Sequence, residues 1–193
     1  MMTYYTADLF MSLDGFGTGP VGYWGKEGPE LSAERRRVFF EGQGETLVLG
    51  ANTYRAMEGF AAEAADNPDF QALTARTKLV VSRTLKAPLS WPNSTLIAED
   101  AVTAVTRLKQ ESPVPLRSHG SISMNRALLA AGLVDRLEIL VFPVITGASG
   151  SDPILAGLPD IDLELVDSRL LDGRIQHLAY VPTVLPQPLG AAS

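Results

Sequence analysis

Three polar or glycine-containing turns follow apolar segments in a pattern that could bind phosphate. Residues 50–53 (Gly-Ala-Asn-Thr), 82–84 (Ser-Arg-Thr) and 119–121 (His-Gly-Ser) each come directly after a predicted strand. The first and third lead into predicted helices, whose first N–H groups are unpaired and carry a partial positive charge. Glycine lets a phosphate approach the backbone, and Thr53 and Ser121 add hydroxyl donors. Both helix starts are therefore candidate anion sites.

Arg83 offers a different means of binding phosphate. Its guanidinium is a fixed fork of donors suited to bidentate phosphate recognition, and the hydroxyls of Ser82 and Thr84 flank it. Each turn alone also has a purely structural explanation, because Gly and Ser are common where a strand meets a helix. Three such turns in this order favour a dinucleotide that carries a pyrophosphate and a 2′-phosphate.

The elements that position these turns follow from hydrophobic periodicity and turn residues. Strands are predicted at about residues 3–13, 46–49, 79–81, 137–144, 162–171 and 174–181, and a further strand ends at Ser118. Helices are predicted at residues 29–41, from Asn52 or Thr53 to just before Gly59, from residues 66–68 onward, from Asp100, and from Ser121 or Ser123 to Gly132. The order predicts a mainly parallel sheet covered on both faces, ending in a hairpin at Asp172-Gly173. In such sheets ligands bind beyond the carboxyl ends of the strands.

Length and composition restrict the classes of function. The 193 residues fit one domain, expected at residues 1–182, with a flexible tail at 183–193. A net charge of −6 gives no general field for polyanions, so we expect no nucleic-acid or membrane partner. The absence of cysteine excludes disulfides and thiolate zinc sites, and the two histidines are far apart in sequence, so no metal site is expected. The start of the chain has no signal-peptide pattern, and the expected location is cytoplasmic.

Five short motifs occur in the order found in one known family: MSLDGF at 11–16, LVLGANTY at 47–54, TKLVVSRTL at 77–85, HGSISMNRALLAAGLVDRL at 119–137 and FPVITG at 142–147. On these motifs the chain resembles dihydrofolate reductases over residues 4–182. The resemblance is closer to the reductase domain of bifunctional riboflavin-biosynthesis deaminase-reductases and their stand-alone relatives. The zinc deaminase of those enzymes needs thiolate ligands, so a chain without cysteine would correspond to the reductase alone.

The resemblance implies a dihydrofolate reductase-like three-layer α/β/α fold, NADPH as cofactor and a homodimer. The apolar segments Leu137–Val144 and Leu163–Val166 could contribute to a dimer interface, although core burial would explain them equally well. The positions that the motifs assign to the cofactor phosphates are Gly50, Ala51, Asn52, Thr53, Ser82, Arg83, Thr84, Gly120, Ser121, Ile122, Ser123 and Met124.

The chain also departs from the family pattern. Dihydrofolate reductases carry Gly-Gly where this chain has His119-Gly120, and their carboxylate proton donor has no secure counterpart among Glu27, Glu30 and Glu34. No proton donor is therefore assigned. Asp14, at the end of the first strand, is a candidate substrate contact, although bonding to its own turn is an equally simple role. Trp24, in a glycine-rich loop, is a second candidate, because an aromatic ring could close over a nicotinamide or a substrate ring.

Three functions are compatible with these residues. The first is hydride transfer from NADPH to a small pterin-like, pyrimidine-like or imine substrate. The second is also an enzyme, but one that uses a flavin or deazaflavin phosphate in place of NADPH, because helix N-termini recognise phosphate and not the ring. The third is a nucleotide-binding protein without catalytic activity, which the missing proton donor leaves open.

Overall fold

The computed structural model describes residues 2–18, 27–42 and 44–190 of the protein. The strands are β1 (Tyr5–Ser12), β2 (Phe16–Thr18), β3 (Thr46–Gly50), β4 (Lys78–Val81), β5 (Ser94–Ile97), β6 (Leu116–His119), β7 (Arg136–Phe142), β8 (Ser151–Pro153), β9 (Ile161–Leu171) and β10 (Ile175–Val184). The helices are α1 (Pro29–Arg35), continued by a π-helical segment at Arg36–Glu41, then α2 (Ala51–Glu63), α3 (Pro68–Ala75), α4 (Ala101–Glu111) and α5 (Ile122–Ala130).

One eight-stranded sheet forms the centre of the molecule, in the order β5-β4-β3-β6-β1-β7-β10-β9. The strands from β5 to β7 are parallel, whereas β10 and β9 run antiparallel at one edge. Val48 packs in the core cluster of α4 and α5, and its neighbours Leu47 and Leu49 pack with α2 and α3 on the opposite face. Because consecutive β3 side chains are buried on both faces, the sheet lies between two helical layers. The predicted three-layer α/β/α fold is confirmed.

Local sequence signals explain several element boundaries. The side chain of Asp100 accepts the N–H of Thr103 at the start of α4, and Asn67 accepts the N–H of Asp69 at the start of α3. Asp172 and Gly173, with φ of 51° and 64°, turn the chain between β9 and β10. Two consecutive residues with positive φ are typical of a tight hairpin turn, so the prediction from Asp-Gly is confirmed.

Other predicted boundaries were wrong. Neither Asn52 nor Thr53 caps α2; Gly50 occupies the N-cap position, and no side chain caps the helix. The helix also continues through Gly59 to Glu63. An interior glycine costs about 1 kcal/mol relative to alanine, which tertiary packing of α2 can offset. The short strand β2 occupies part of the predicted loop, and β5 was not predicted, since four residues at a sheet edge carry little periodic signal.

A buried ion-pair cluster joins three strands and the segment before β3. The guanidinium of Arg117, 6% exposed, lies 2.9 Å from the carboxylates of both Glu45 and Glu138. Burial disfavours the charged forms, but the opposite charges outweigh it: the pKa of Arg117 is raised, and His177, Arg117 and Arg136 hold the pKa of Glu138 well below its ordinary value. The cluster therefore remains charged inside the sheet layer.

Replacing Arg117 with leucine is expected to lower the free energy of unfolding by about 3 kcal/mol or more, because Glu45 would lose its ion-pair partner and Glu138 would keep its pair with Arg136, while both carboxylates stay largely buried. Urea unfolding monitored by circular dichroism measures the change. The matched control is Arg107→Leu, which removes two ion pairs at the surface of α4 and should have a much smaller effect. Equal losses in both variants would contradict the role given to Arg117.

Candidate cofactor and substrate site

The carboxyl ends of β3 and β6 meet at a group of hydrogen bonds centred on Ser121. The N–H of Gly50 donates to Ser121 Oγ at 2.8 Å, and Ser121 Oγ donates to Thr53 Oγ1 at 2.9 Å. The backbone N–H of Ser121 donates to the same Thr53 oxygen at 3.0 Å. The turns at 50–53 and 119–121, which are about 70 residues apart in sequence, therefore lie against each other.

Unusual backbone geometry permits this close approach. Gly120 and Ser121 both have positive φ, at 66° and 58°. Serine in this region is uncommon and costs of order 1 kcal/mol or more, which the three hydrogen bonds around its hydroxyl and N–H offset. A Cβ atom on Gly50 would lie only 3.2 Å from Ser121 Oγ, so a glycine suits that position. Ser121 precedes α5 as predicted, but its side chain joins β3 and α2 and does not cap α5.

Two helix N-termini open toward this junction. Among the residues that the structure describes, no side chain caps α2 or α5. Their first-turn N–H groups therefore lack side-chain partners, and the positive ends of two helix dipoles lie side by side. Two adjacent positive ends repel each other unless an anion lies between them or nearby. The arrangement is thus suited to binding phosphate groups.

A cavity of about 280 Å³ adjoins the two helix starts. Its polar wall is formed by Asn52, Thr53, His119 and Gly120. Gly17 of β2 covers another side, where a Cβ atom would lie within 3 Å of the Ile154 and Ile122 side chains. The glycine therefore allows the small β2–β8 ribbon to pack closely over the cavity.

A second cavity, of about 300 Å³, continues from the first. Phe10, Met57 and His119 line both cavities. The remaining walls of the second cavity are largely apolar, with one ion pair, and consist of Glu27, Arg35, Phe60, Leu140 and Phe142. An apolar cavity with a few polar groups is typical of a small-molecule site, and its size suits one heterocycle.

The junction of the two cavities contains a histidine–carboxylate pair that sequence reasoning missed. His119 Nδ1 lies 3.0 Å from Asp8 Oδ2, and its ring stacks on Phe39 with centroids 3.9 Å apart. Asp8 and His119 are register partners on the adjacent strands β1 and β6. An acidic residue within an apolar strand was the available signal, but its partner is 111 positions away in the chain.

The third predicted phosphate turn lies at the same edge of the sheet. Gly50 is the register partner of Val81, so residues 82–84 emerge next to the start of α2. The Ser82 hydroxyl accepts the N–H groups of Thr84 and Leu85 and is thereby used within its own turn. Arg83 is exposed and, within the described ranges, its side chain forms no hydrogen bond or ion pair. It is therefore available to a ligand.

Two predicted site residues, Asp14 and Met124, line neither cavity, and a third lies outside the described residues. The carboxylate of Asp14 accepts the N–H groups of Thr146 and Gly147 at 3.1 and 2.8 Å, which fastens the loop after β7 to the loop after β1. Hydrogen bonds, first from Ser12 and then from these backbone groups, hold its pKa well below the ordinary value. Met124 is 6% exposed with its side chain in the core, which leaves its backbone N–H in the first turn of α5 as the candidate contact, and Trp24 lies outside the described residues.

The family model of the RibD C-terminal domain matches residues 3–177. The chain belongs to the RibD C-terminal domain family. RibD C-terminal domains are reductases of riboflavin biosynthesis, so the chain is related to oxidoreductases that act on a small molecule. No curated protein matches the chain significantly. In the described ranges, no helix is both long enough and apolar enough to cross a bilayer.

Solved structures share the fold at low sequence identity. A riboflavin biosynthesis protein from a Shewanella species is 18% identical, with 94% of this chain and 99% of that chain covered and a TM-score of 0.69. A pyrimidine reductase-like protein from Corynebacterium diphtheriae is 16% identical, with 94% and 92% covered and a TM-score of 0.65. The riboflavin biosynthesis reductase Rib7 of Saccharomyces cerevisiae is 14% identical, with 94% and 90% covered and a TM-score of 0.60.

Replacing Ser121 with alanine is expected to reduce the free energy of unfolding by about 1–2 kcal/mol, because the N–H of Gly50 loses its acceptor in a partly buried position. Thermal and urea unfolding measure the effect. Ser123→Ala is the matched control, since Ser123 is exposed in the first turn of the same helix. If the two variants unfold alike, the hydrogen bonds around Ser121 do not hold the two helix starts together.

Proposed function

We propose that the protein is an NADPH-dependent reductase that transfers a hydride to a small pyrimidine-like, pterin-like or imine substrate. The observation that supports this most directly is the junction of the uncapped α2 and α5 N-termini beside a cavity. Membership of the RibD C-terminal domain family supports the reductase chemistry. The names of two similar structures, a riboflavin biosynthesis reductase and a pyrimidine reductase-like protein, favour a nitrogen heterocycle as the substrate class.

The residues at the junction fit the phosphates of a dinucleotide. The N–H groups of residues 51–53 and 122–124 would bind the pyrophosphate, since they form the first turns of the two uncapped helices. Arg83 would bind the 2′-phosphate with its unpaired guanidinium, assisted by Thr84. Ser82 contributes by holding this turn, because its hydroxyl already accepts two backbone N–H groups. When bound, NADPH supplies the hydride, and the protein provides binding, orientation and exclusion of water.

The second cavity is the proposed substrate site. Its walls include the aromatic rings of Phe10, Phe60 and Phe142, which suit a flat heterocycle. The paired side chains of Glu27 and Arg35 are the charged groups at this cavity within the described residues. They could form hydrogen bonds to amino and carbonyl groups of a pyrimidine. A ring in this cavity would adjoin one in the first cavity across Phe10, Met57 and His119.

Arg83→Ala is expected to raise the dissociation constant of NADPH about 10- to 100-fold, because a charge-assisted interaction worth about 1.5–3 kcal/mol is lost. The dissociation constant of NADH should change little, since NADH has no 2′-phosphate. Fluorescence titration of wild-type protein and variant with both nucleotides measures the difference. Lys86→Ala is the matched control, because Lys86 is an exposed cation three residues further along the same loop.

The same preparations test the reaction. Absorbance at about 340 nm should fall when NADPH is mixed with wild-type protein and either a 6-(ribosylamino)pyrimidin-4-one or a 7,8-dihydropterin.

Equal losses of NADPH and NADH affinity in Arg83→Ala would refute the 2′-phosphate assignment. A melting temperature raised by FMN or a deazaflavin phosphate and unchanged by NADPH would replace the proposed cofactor. NADPH binding without oxidation of the nucleotide by any substrate of these classes would support a non-catalytic nucleotide-binding protein.

The edge strand β9 supports a homodimer. It pairs with β10 on one side only, and Leu163, Leu165, Val166 and Leu170 are 40–59% exposed. A long apolar edge strand favours association with a second copy, since its free N–H and C=O groups can also pair. Leu137 and its neighbours in β7, the other suggested interface segment, are buried between β1 and β10 and belong to the core.

Leu165→Lys is expected to convert the dimer to a monomer, because two lysines would be brought together at a symmetric interface. Size-exclusion chromatography with multi-angle light scattering measures the mass. Val102→Lys on the surface of α4 is the control for adding one charge at a partly exposed apolar position. A monomeric wild-type protein, or a variant that stays dimeric, would contradict an interface at β9.

A further inference from the structure

His119 occupies the place where a reaction between the two cavities would occur. It lines both the cavity beside the helix N-termini and the apolar cavity proposed for substrate. Phe10 and Met57, the other two shared residues, carry no group that can donate a proton. His119 is therefore the titratable side chain common to both cavities among the described residues.

The imidazole ring is held in one orientation. Its Nδ1 lies 3.0 Å from Asp8 Oδ2, the ring stacks on Phe39 with centroids 3.9 Å apart, and Phe10 lies tilted beside it at a centroid distance of 5.7 Å. Because a carboxylate accepts hydrogen bonds, the ring donates its Nδ1 proton to Asp8. Any second proton that the ring takes up must then lie on Nε2. Asp8 thus determines which nitrogen can exchange a proton with a ligand.

The second nitrogen is free to contact a ligand. Within the described part of the chain, Nε2 of His119 has no hydrogen-bond partner. In the same part of the chain, two side-chain atoms are fully buried and lack a hydrogen-bond partner, namely Tyr5 Oη and Ser94 Oγ. Nε2 of His119 is not one of them. His119 is only 8% exposed and lines both cavities, so we infer that a ligand would reach Nε2 through them.

The other histidine of the chain has contacts of a structural kind and differs from His119 in them. His177 is 4% exposed, its Nδ1 is hydrogen-bonded to Arg169, and its Nε2 lies 3.8 Å from Glu138. Both of its ring nitrogens therefore face charged protein groups, and it lines neither cavity. His119 has one nitrogen held by a carboxylate and the other without a partner among the described residues, in a side chain that lines both cavities. That division is typical of a positioned acid–base histidine.

We propose that His119 is the proton donor of the reduction and that Asp8 is its positioning residue; the proposal rests on the reductase function proposed above. When bound, NADPH would supply the hydride for the carbon of a substrate C=N bond. The π electrons move to the nitrogen, which takes the Nε2 proton of protonated His119. The substrate is reduced to CH–NH, the dinucleotide is oxidised to NADP⁺, and the neutral ring regains its proton from water.

Several charged groups surround this pair. Asp8 on β1 contacts the ring directly, and Arg117 on β6 interacts electrostatically with Asp8 from the same face of the sheet. Glu27 and Arg35 line the substrate cavity with His119. A pH profile of the reaction will therefore reflect the whole group, and the assignment to His119 requires variants and direct observation of the ring.

The first experiment observes the ring by nitrogen NMR in protein labelled with ¹⁵N-histidine. The chain has two histidines, and His177→Gln assigns their signals. We expect neutral His119 to carry its proton on Nδ1 in the wild type and to lose that preference in Asp8→Asn, whose amide can also donate. Adding NADP⁺ and the substrate fragment 2,6-diaminopyrimidin-4-one should shift the Nε2 signal of His119 and leave that of His177 unchanged.

The second experiment measures single-turnover oxidation of NADPH with a 6-(ribosylamino)pyrimidin-4-one as a function of pH. His119→Gln should lower the rate constant about 100-fold or more, abolish the ionisation that controls the wild-type rate, and change the dissociation constant of NADPH by a much smaller factor than the rate constant. Asp8→Asn should lower the rate less and displace the pH profile. His177→Gln, compared at equal folded concentration, should retain the wild-type rate and profile.

The outcomes separate this proposal from the proposed function. If wild-type protein binds NADP⁺ but the fragment leaves the Nε2 signal of His119 unchanged, His119 does not contact substrate and its role is refuted. A wild-type rate in His119→Gln refutes it equally. Failure of the wild type to bind NADPH or NADP⁺ would instead refute the reductase function itself, and the role of His119 with it.

Discussion

The hydrogen bonds of the Ser121 hydroxyl connect the parts of the molecule on which the candidate site depends. They join the end of β3 to the first turn of α2 and to the turn before α5. These hydrogen bonds hold the positive ends of two helix dipoles side by side, although like charges repel each other. The left-handed backbone at Gly120 and Ser121 brings the hydroxyl to this place. The cost of this backbone conformation is offset by contacts that hold two helix starts in an arrangement suited to an anion.

Buried charged side chains within the sheet position the histidine–carboxylate pair of the candidate site. Arg117 lies between Glu45 and Glu138, and the next side chain on the same face of β6 is His119, bonded to Asp8. The desolvation cost of these charges is large, so such groups persist only when they are paired. Their pairing fixes the side chains across β1, β6 and β7, and it holds the His119 ring rigidly at the junction of the cavities. Binding and proton transfer would thereby be positioned by strands and not by loops.

Much of the fold was predictable because its signals are local. The period of apolar residues indicated α4, and the caps at Asn67 and Asp100 and the Asp172-Gly173 turn marked element ends correctly. Prediction failed where tertiary contacts outweigh local preference: α2 continues through Gly59, and Asp14 binds the distant backbone of Thr146 and Gly147. For the candidate site, the turns that follow β3, β4 and β6 were found, whereas the Asp8–His119 pair and both cavities were not.

The sequence by itself determined where most of the long strands end and where α3, α4 and α5 start, because hydrophobic period and turn chemistry act over a few neighbouring positions. It also placed glycines, hydroxyls and Arg83 at those ends, which indicated phosphate binding. Only the tertiary structure decided which strand ends meet, how Ser121 is used and which side chain faces His119. Those contacts join residues up to 111 positions apart, and they depend on strand order and register, which are set by packing of the whole sheet.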